Sequence, residues 1–281
     1  DLGDVWQSVW SSLIKTFLKK TGTQQIEKRN WRPNIILFSG GTSTRPYLID
    51  LSSALAGRHG FISNFDLREK DAGTPSLSKS EQNIIDTKEL SEKGIFSRIH
   101  SCSDIYEGIE TIAGTYGFSG IDPDTVMLGW AKQSKNPVRF IQTIGQLTAL
   151  DMNLILVHYN KEKGFGQNKV IDLWWDSQTG ANVLGLHIFR FLSSSLSWKK
   201  SRLRIFIHNH FKDQQDIVYQ QANSVCDQLR ITAPIRIING DRNTIYESII
   251  KESPGADLVI IDYLKSPDEK DIDFVKNTNQ M

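Results

Sequence analysis

The stretch NIILFSGGTSTR (residues 34–45) runs four apolar residues, Ile35–Phe38, straight into a glycine pair and a hydroxyl-rich corner, after which a helical pattern begins. An apolar run without alternation fits a strand buried on both faces. Backbone N–H groups at the helix start lack intrahelical partners and carry partial positive charge, so a strand, a glycine corner and a helix often cradle a phosphate. Ser39, Gly40, Gly41, Thr42, Ser43 and Arg45 are therefore the candidate nucleotide-binding residues, offering amides, hydroxyls and one guanidinium. Two standard patterns fail here. A P-loop needs G-x-x-x-x-G-K-[ST], and no Lys stands in place; the dinucleotide spacing G-x-G-x-x-G is absent too. Glycine also closes strands simply because a turn needs positive φ, so phosphate cradle and plain corner both stay open.

Outward from this corner the same alternation repeats. Apolar runs at residues 35–38, 61–65, 95–99, 126–130, 154–158, 170–175, 203–208, 235–238 and 258–262 predict strands. Helical patterns at 46–56, 105–115, 138–150, 183–196, 217–229 and 244–251 lie between most of them. Alternating strands and helices specify an α/β fold with mostly parallel sheets. Residues 160–169, NKEKGFGQNK, form a polar turn between two strands with no helix, so 154–158 and 170–175 are expected to pair as a hairpin or to edge two sheets together. That turn divides the chain into a connector (1–33), a first α/β lobe (34–164) and a second (165–281). Residues 68–93 are polar and read as loop with at most one exposed helix, and the tail after 264 reads the same way.

Ahead of the lobes, Val5, Trp6, Val9, Trp10, Leu13, Ile14, Phe17 and Leu18 fall on one helical face. This amphipathic stripe packs on its own domain, or else docks on a membrane surface, a partner domain or the same helix of a second copy. The chain opens on Asp1 without an initiator Met or a leader, which gives the expectation of a piece from a longer protein. Its longest apolar runs are four residues, against the roughly 20 needed to cross a bilayer.

Composition narrows the classes further. The 281 residues are 39% hydrophobic, enough for packed cores, and 33 basic against 32 acidic side chains leave no field to attract nucleic acid. Two distant cysteines without a CxxC disfavour a disulfide scaffold and fit a reducing compartment.

Residues that could carry chemistry are sparse. Gly114, Gly117 and Gly120 follow a helix and read as its C-cap and a turn. His208 and His210 close a strand, where α/β proteins place ligands, yet two His without a carboxylate at suitable spacing are a weak metal signal, and no metal is expected. Asp172, Asp176 and Asp262 stand near strand ends, as capping carboxylates do as well as catalytic ones. No G-x-S-x-G or H-E-x-x-H occurs. No catalytic residue is assigned and no enzyme is expected; an acid/base pair of Asp262 and His208 is the hydrolase alternative.

The stretches NWRPNIILFSGGTSTRPYLIDLSSAL (30–55), SGIDPDTVMLGW (119–130), VIDLWW (170–175), WKKSRLRIFI (198–207) and GADLVII (255–261) together resemble the cytosolic C-terminal domain of cation-chloride cotransporters, in order and spacing along almost the whole chain. WRPNIILFSG and DTVMLGW are the most specific of these. The resemblance implies two α/β lobes similar to universal stress proteins, a homodimer, and a regulatory role at the cytoplasmic face of the cell membrane, on a transporter that moves chloride with sodium or potassium. The Val5 to Leu18 stripe would then join the lobes to a membrane-embedded transport domain of the same polypeptide. Ion sites would lie outside this chain, no cofactor is implied, and residues 68–93 match no phosphorylated insert. Animal relatives can hold adenine nucleotide, which favours Ser39 to Arg45 as a weak site; the last strand, DLVIIDYLKSPDEK, lacks the nucleotide-binding glycine pattern of stress proteins and argues against it. The alternative is a free-standing nucleotide-binding protein of universal-stress type.

Overall fold

A computed structural model of the chain describes residues 32–40, 45–69, 90–91, 93–117, 122–130, 136–241, 244–262 and 270–280. The described residues fall into two compact units, one drawn from Asp1–Gly129 and Thr143–Val157, the other from Trp130–Gln142 and His158–Met281. Among them none forms a helix long and apolar enough to cross a membrane.

The first unit is built from β1 (Ile35–Phe38), α1 (Pro46–Ala56), β2 (Ile62–Glu69), β3 (Ile95–Cys102), α2 (Ile105–Thr115), β4 (Thr125–Gly129), part of α3 (Pro137–Thr148) and β5 (Asn153–Val157). Its sheet runs β3-β2-β1-β4-β5, every neighbouring pair parallel. Strands β1 and β4 are buried along their whole length, as their unbroken apolar runs require. Helix α1 presents Leu48, Ile49, Leu51 and Leu55 to the core at helical spacing and opens on a proline, whose missing N–H costs nothing there. Helix α2 is capped by the Asp104 carboxylate, which accepts from the Glu107 amide at 2.8 Å. Its C-cap is Tyr116 in extended conformation, not a glycine; the Tyr116 ring stands edge-on to Phe65.

The second unit contains β6 (Val170–Asp176), α4 (Val183–Ser194), β7 (Arg202–Asn209), α5 (Gln215–Leu229), β8 (Ile235–Asn239), α6 (Ile245–Glu252), β9 (Leu258–Ile261) and α7 (Asp271–Gln280). Its sheet runs β8-β7-β6-β9, again all parallel. Trp174, at the middle of the unit, is 1% exposed, stacks on Phe206 at 4.7 Å and donates its indole N–H to Ser253 Oγ at 2.9 Å. Each unit holds one cysteine: Cys102 at the end of β3 is half-buried, Cys226 in α5 fully so.

The α/β architecture with parallel sheets is as the sequence predicts, and three local expectations are corrected. Strands β5 and β6 form no hairpin: β5 pairs with β4, while β6 has both edges taken by β7 and β9. The turn between them is fastened instead to Asp257, whose carboxylate accepts the amides of Gln167, Lys169 and Val170 at 3.1, 2.7 and 2.9 Å. Gly166, at φ +53°, sits so close that a Cβ there would collide with that carboxylate. The helix of the polar tail, α7, is not an exposed one: among its described side chains Phe274 and Val275 are buried, Phe274 lies edge-on to Trp130 and Asn279 accepts the Trp130 indole N–H. Asp172 is no strand-end carboxylate. It lies within β6, fully buried, and takes a bidentate pair of 2.7 Å bonds from Arg204 on β7.

Candidate functional site

In an open parallel sheet the crevice forms where connections from one strand leave in opposite directions, at the carboxyl ends of the strands. In the first unit that point lies between β1 and β4; in the second it lies between β6 and β9.

At the first point the chain leaves β1 through Ser39, fully buried, and Gly40, whose φ of +63° needs glycine. Arg45, next to the start of α1, folds its guanidinium back over this corner. A Cβ built on Gly40 would lie 3.7 Å from Arg45 Nη1, and one built on Gly129, at the end of β4, only 2.8 Å from the same atom. Two strand ends lacking side chains thus leave room for one cation, and α1 has no acidic residue in its first turn to neutralise it. Ser39 Oγ finds no hydrogen-bond partner among the described residues. Of the candidate nucleotide-binding set, Ser39, Gly40 and Arg45 are brought together; Gly41, Thr42 and Ser43 lie outside the described residues. Val5, Trp6, Val9, Trp10, Leu13, Ile14 and Phe17 also lie outside them.

At the second point the chemistry has the opposite sign. Asp176 ends β6, His208 lies near the end of β7, His210 follows it, and Asp262 follows β9. His210 Nε2 meets Asp176 Oδ2 at 2.8 Å, the two side chains being 8% and 7% exposed. Asp176 Oδ1 accepts the Gln178 amide at 2.8 Å, which fixes the carboxylate. The His208 and His210 rings meet edge-on at 5.0 Å. Burial, followed by the neighbouring His210, pushes the His208 pKa down, so its imidazole is held neutral. Burial, followed by the charge on Asp176, pushes the Asp262 carboxyl up to about 6. No hydrogen bond joins Asp262 to His208 among the described residues, so the geometry an acid/base pair requires is not formed.

Sequence reading singled out His208 and His210 but left them without a carboxylate. Asp176 supplies it from 32 residues upstream of His208, across the β6–β7 register that sets Asp176 opposite His208. The only signal available beforehand was that one predicted strand ends in His208 and another is followed directly by Asp176.

No known protein-family model matches the chain. Solved structures are similar in fold. The cytoplasmic domain of a prokaryotic cation chloride cotransporter aligns at a TM-score of 0.65 and 17% identity, over 89% of this chain and 92% of that one. A Pseudomonas aeruginosa UCBPP-PA14 protein assigned to the universal stress proteins aligns at 0.54 and 9% identity, over 88% and 90%. A protein of unknown function from Pseudomonas aeruginosa PAO1 aligns at 0.52 and 11% identity, over 88% and 89%. The fold is thus an α/β fold with parallel sheets, shared with solved structures that include one assigned to the universal stress proteins.

Proposed function

We propose that this chain is the cytosolic regulatory and dimerisation domain of a secondary-active cation-chloride cotransporter, without enzymatic activity of its own. The observation that carries the reading is the extent of the fold similarity to the cotransporter domain, which takes in nearly the whole length of both chains rather than one lobe. The sequence stretches that resemble the same family take in β1, β4, β6, β7 and β9, among them the two strand pairs that flank the reversal points. In this reading the Val5 to Phe17 stripe links the lobes to the membrane domain. Regulation then requires contacts that differ between two transporter states, by about 1–3 kcal/mol in coupled systems of this kind.

Sedimentation of the chain with and without residues 1–20, over a hundredfold range of concentration, tests the dimer. The expected result is a dimer that weakens when the apolar stripe is removed; a monomer at every concentration in both forms would remove the basis of the proposal.

A second reading, a free-standing nucleotide-binding protein of universal-stress type, draws on one observation. Arg45, held over the glycines that end β1 and β4, is a cation at the place where an α/β sheet receives an anion.

A further inference from the structure

We infer that the carboxyl end of the second sheet is a binding site for a divalent transition metal of the zinc class, held by Asp176, His208 and His210. One ligand atom from each of the three lies within 4.8 Å of the others. A tetrahedral metal with ligands at about 2.0–2.1 Å needs its donors about 3.4 Å apart, a closure that small side-chain rotations achieve.

The hydrogen bonds around His208 decide which of its nitrogens is available. Thr244 has a single hydroxyl proton, and it donates this to the Asp241 carbonyl at 2.7 Å. Towards His208 Nε2, 3.4 Å away, the Thr244 oxygen is therefore an acceptor, and Nε2 carries the imidazole proton. Nδ1 is left as a bare lone pair. It is buried, and no donor among the described residues reaches it. A buried acceptor left unsatisfied is unfavourable unless something occupies it. The arrangement is the one found at metal-binding histidines, where the second ring nitrogen donates outward and so fixes the tautomer.

The other two donors are prepared in the same sense. The Gln178 amide holds one oxygen of Asp176 and leaves the other facing His210. A metal displaces the proton now shared between His210 Nε2 and Asp176 Oδ2. Two imidazole nitrogens with a carboxylate select zinc, cobalt, nickel or iron(II) over magnesium and calcium, which require oxygen.

The test is a cobalt(II) titration of the chelator-stripped chain, followed by visible d–d absorption and by calorimetric competition with zinc. One equivalent should bind and give a band of four- or five-coordinate intensity. His210→Ala and Asp176→Asn should each weaken binding by at least about 100-fold, and Thr244→Val, which removes no ligand, by about 10- to 100-fold. His59→Gln, in the other unit, should leave it unchanged. Circular dichroism of each metal-free variant separates loss of a ligand from loss of fold. A wild-type chain that gives no band at tenfold excess of cobalt, or folded His210→Ala binding as tightly as wild type, overturns the site; neither result depends on the oligomeric state.

Discussion

In the first unit the strand order reverses between β1 and β4, in the second between β6 and β9, and the side chains gathered at the two places carry opposite charge. One corner is lined by Gly40 and Gly129 beneath a guanidinium; the other gathers two carboxyls and two imidazoles. Backbone topology fixes where a parallel sheet can receive a ligand, and it does so twice here. What is received follows from the side chains alone. The cationic corner adds to the positive end of its helix and suits an anion. At the other corner burial pushes the His208 pKa down and lifts the Asp262 carboxyl to about 6.

The largest effect is expected at Trp174, two residues before Asp176. Trp174→Ala removes a buried ring from between Phe206 and the Ile245–Ile249 face and should cost about 3–5 kcal/mol. Hydrogen exchange should then open β6 and β7, and an unchanged urea midpoint would mean that the acidic corner does not stand on this core.

A smaller effect is expected at Asp257, which ties the 160–169 turn to the start of β6. Burial alone would raise its carboxyl, but the amides of Lys169, Val170 and Gln167 hold it below the usual 3.8. The folded value lies under the unfolded one, so the stabilisation is present above pH 3.8 and is lost as pH falls through the folded value. Asp257→Asn should lower stability by about 1 kcal/mol at neutral pH. Melting temperatures of the two proteins should converge on acidification below pH 3.8, and a gap that persists at low pH would assign the effect to something other than the carboxylate.

The smallest effect sharpens the first corner. If the cation over Gly129 receives a nucleotide phosphate, ATP at a concentration equal to its dissociation constant should stabilise the chain by about 0.4 kcal/mol. Arg45→Ala should abolish that shift in a thermal melt while leaving the unliganded melt nearly in place. A melt that millimolar ATP leaves unmoved in the unmodified chain returns Gly40 to the role of a plain turn.

Much of the frame was legible because strands buried on both faces must be apolar without interruption: Ile35–Phe38 and the Val126–Leu128 run announce themselves. The buried side of helix α7 was hidden, since Phe274 and Val275 stand in a stretch that reads as polar tail. The supposed hairpin failed for a reason invisible in local pattern: the partners of β6 come from 26 or more residues downstream, and they satisfy both of its edges. Gly40 and Arg45 could be marked beforehand because they are close in sequence to one strand–helix corner, whereas Gly129 joins them from β4. The acidic corner was least legible. Asp176 and His208 meet through a crossover helix, and sequence spacing carries no trace of the register that sets them side by side.

Unequal burial of the two thiols provides a built-in reporter for each half of the molecule. Burial pushes both upward, helped at Cys102 by Glu69, Asp104 and Glu107 and at Cys226 by Asp227, so neither is a ready nucleophile in the native state. Alkylation of Cys102 needs only fraying at the margin of one sheet, whereas Cys226 reacts only once its helix has left the other, and the two rates clock separate openings without any added label.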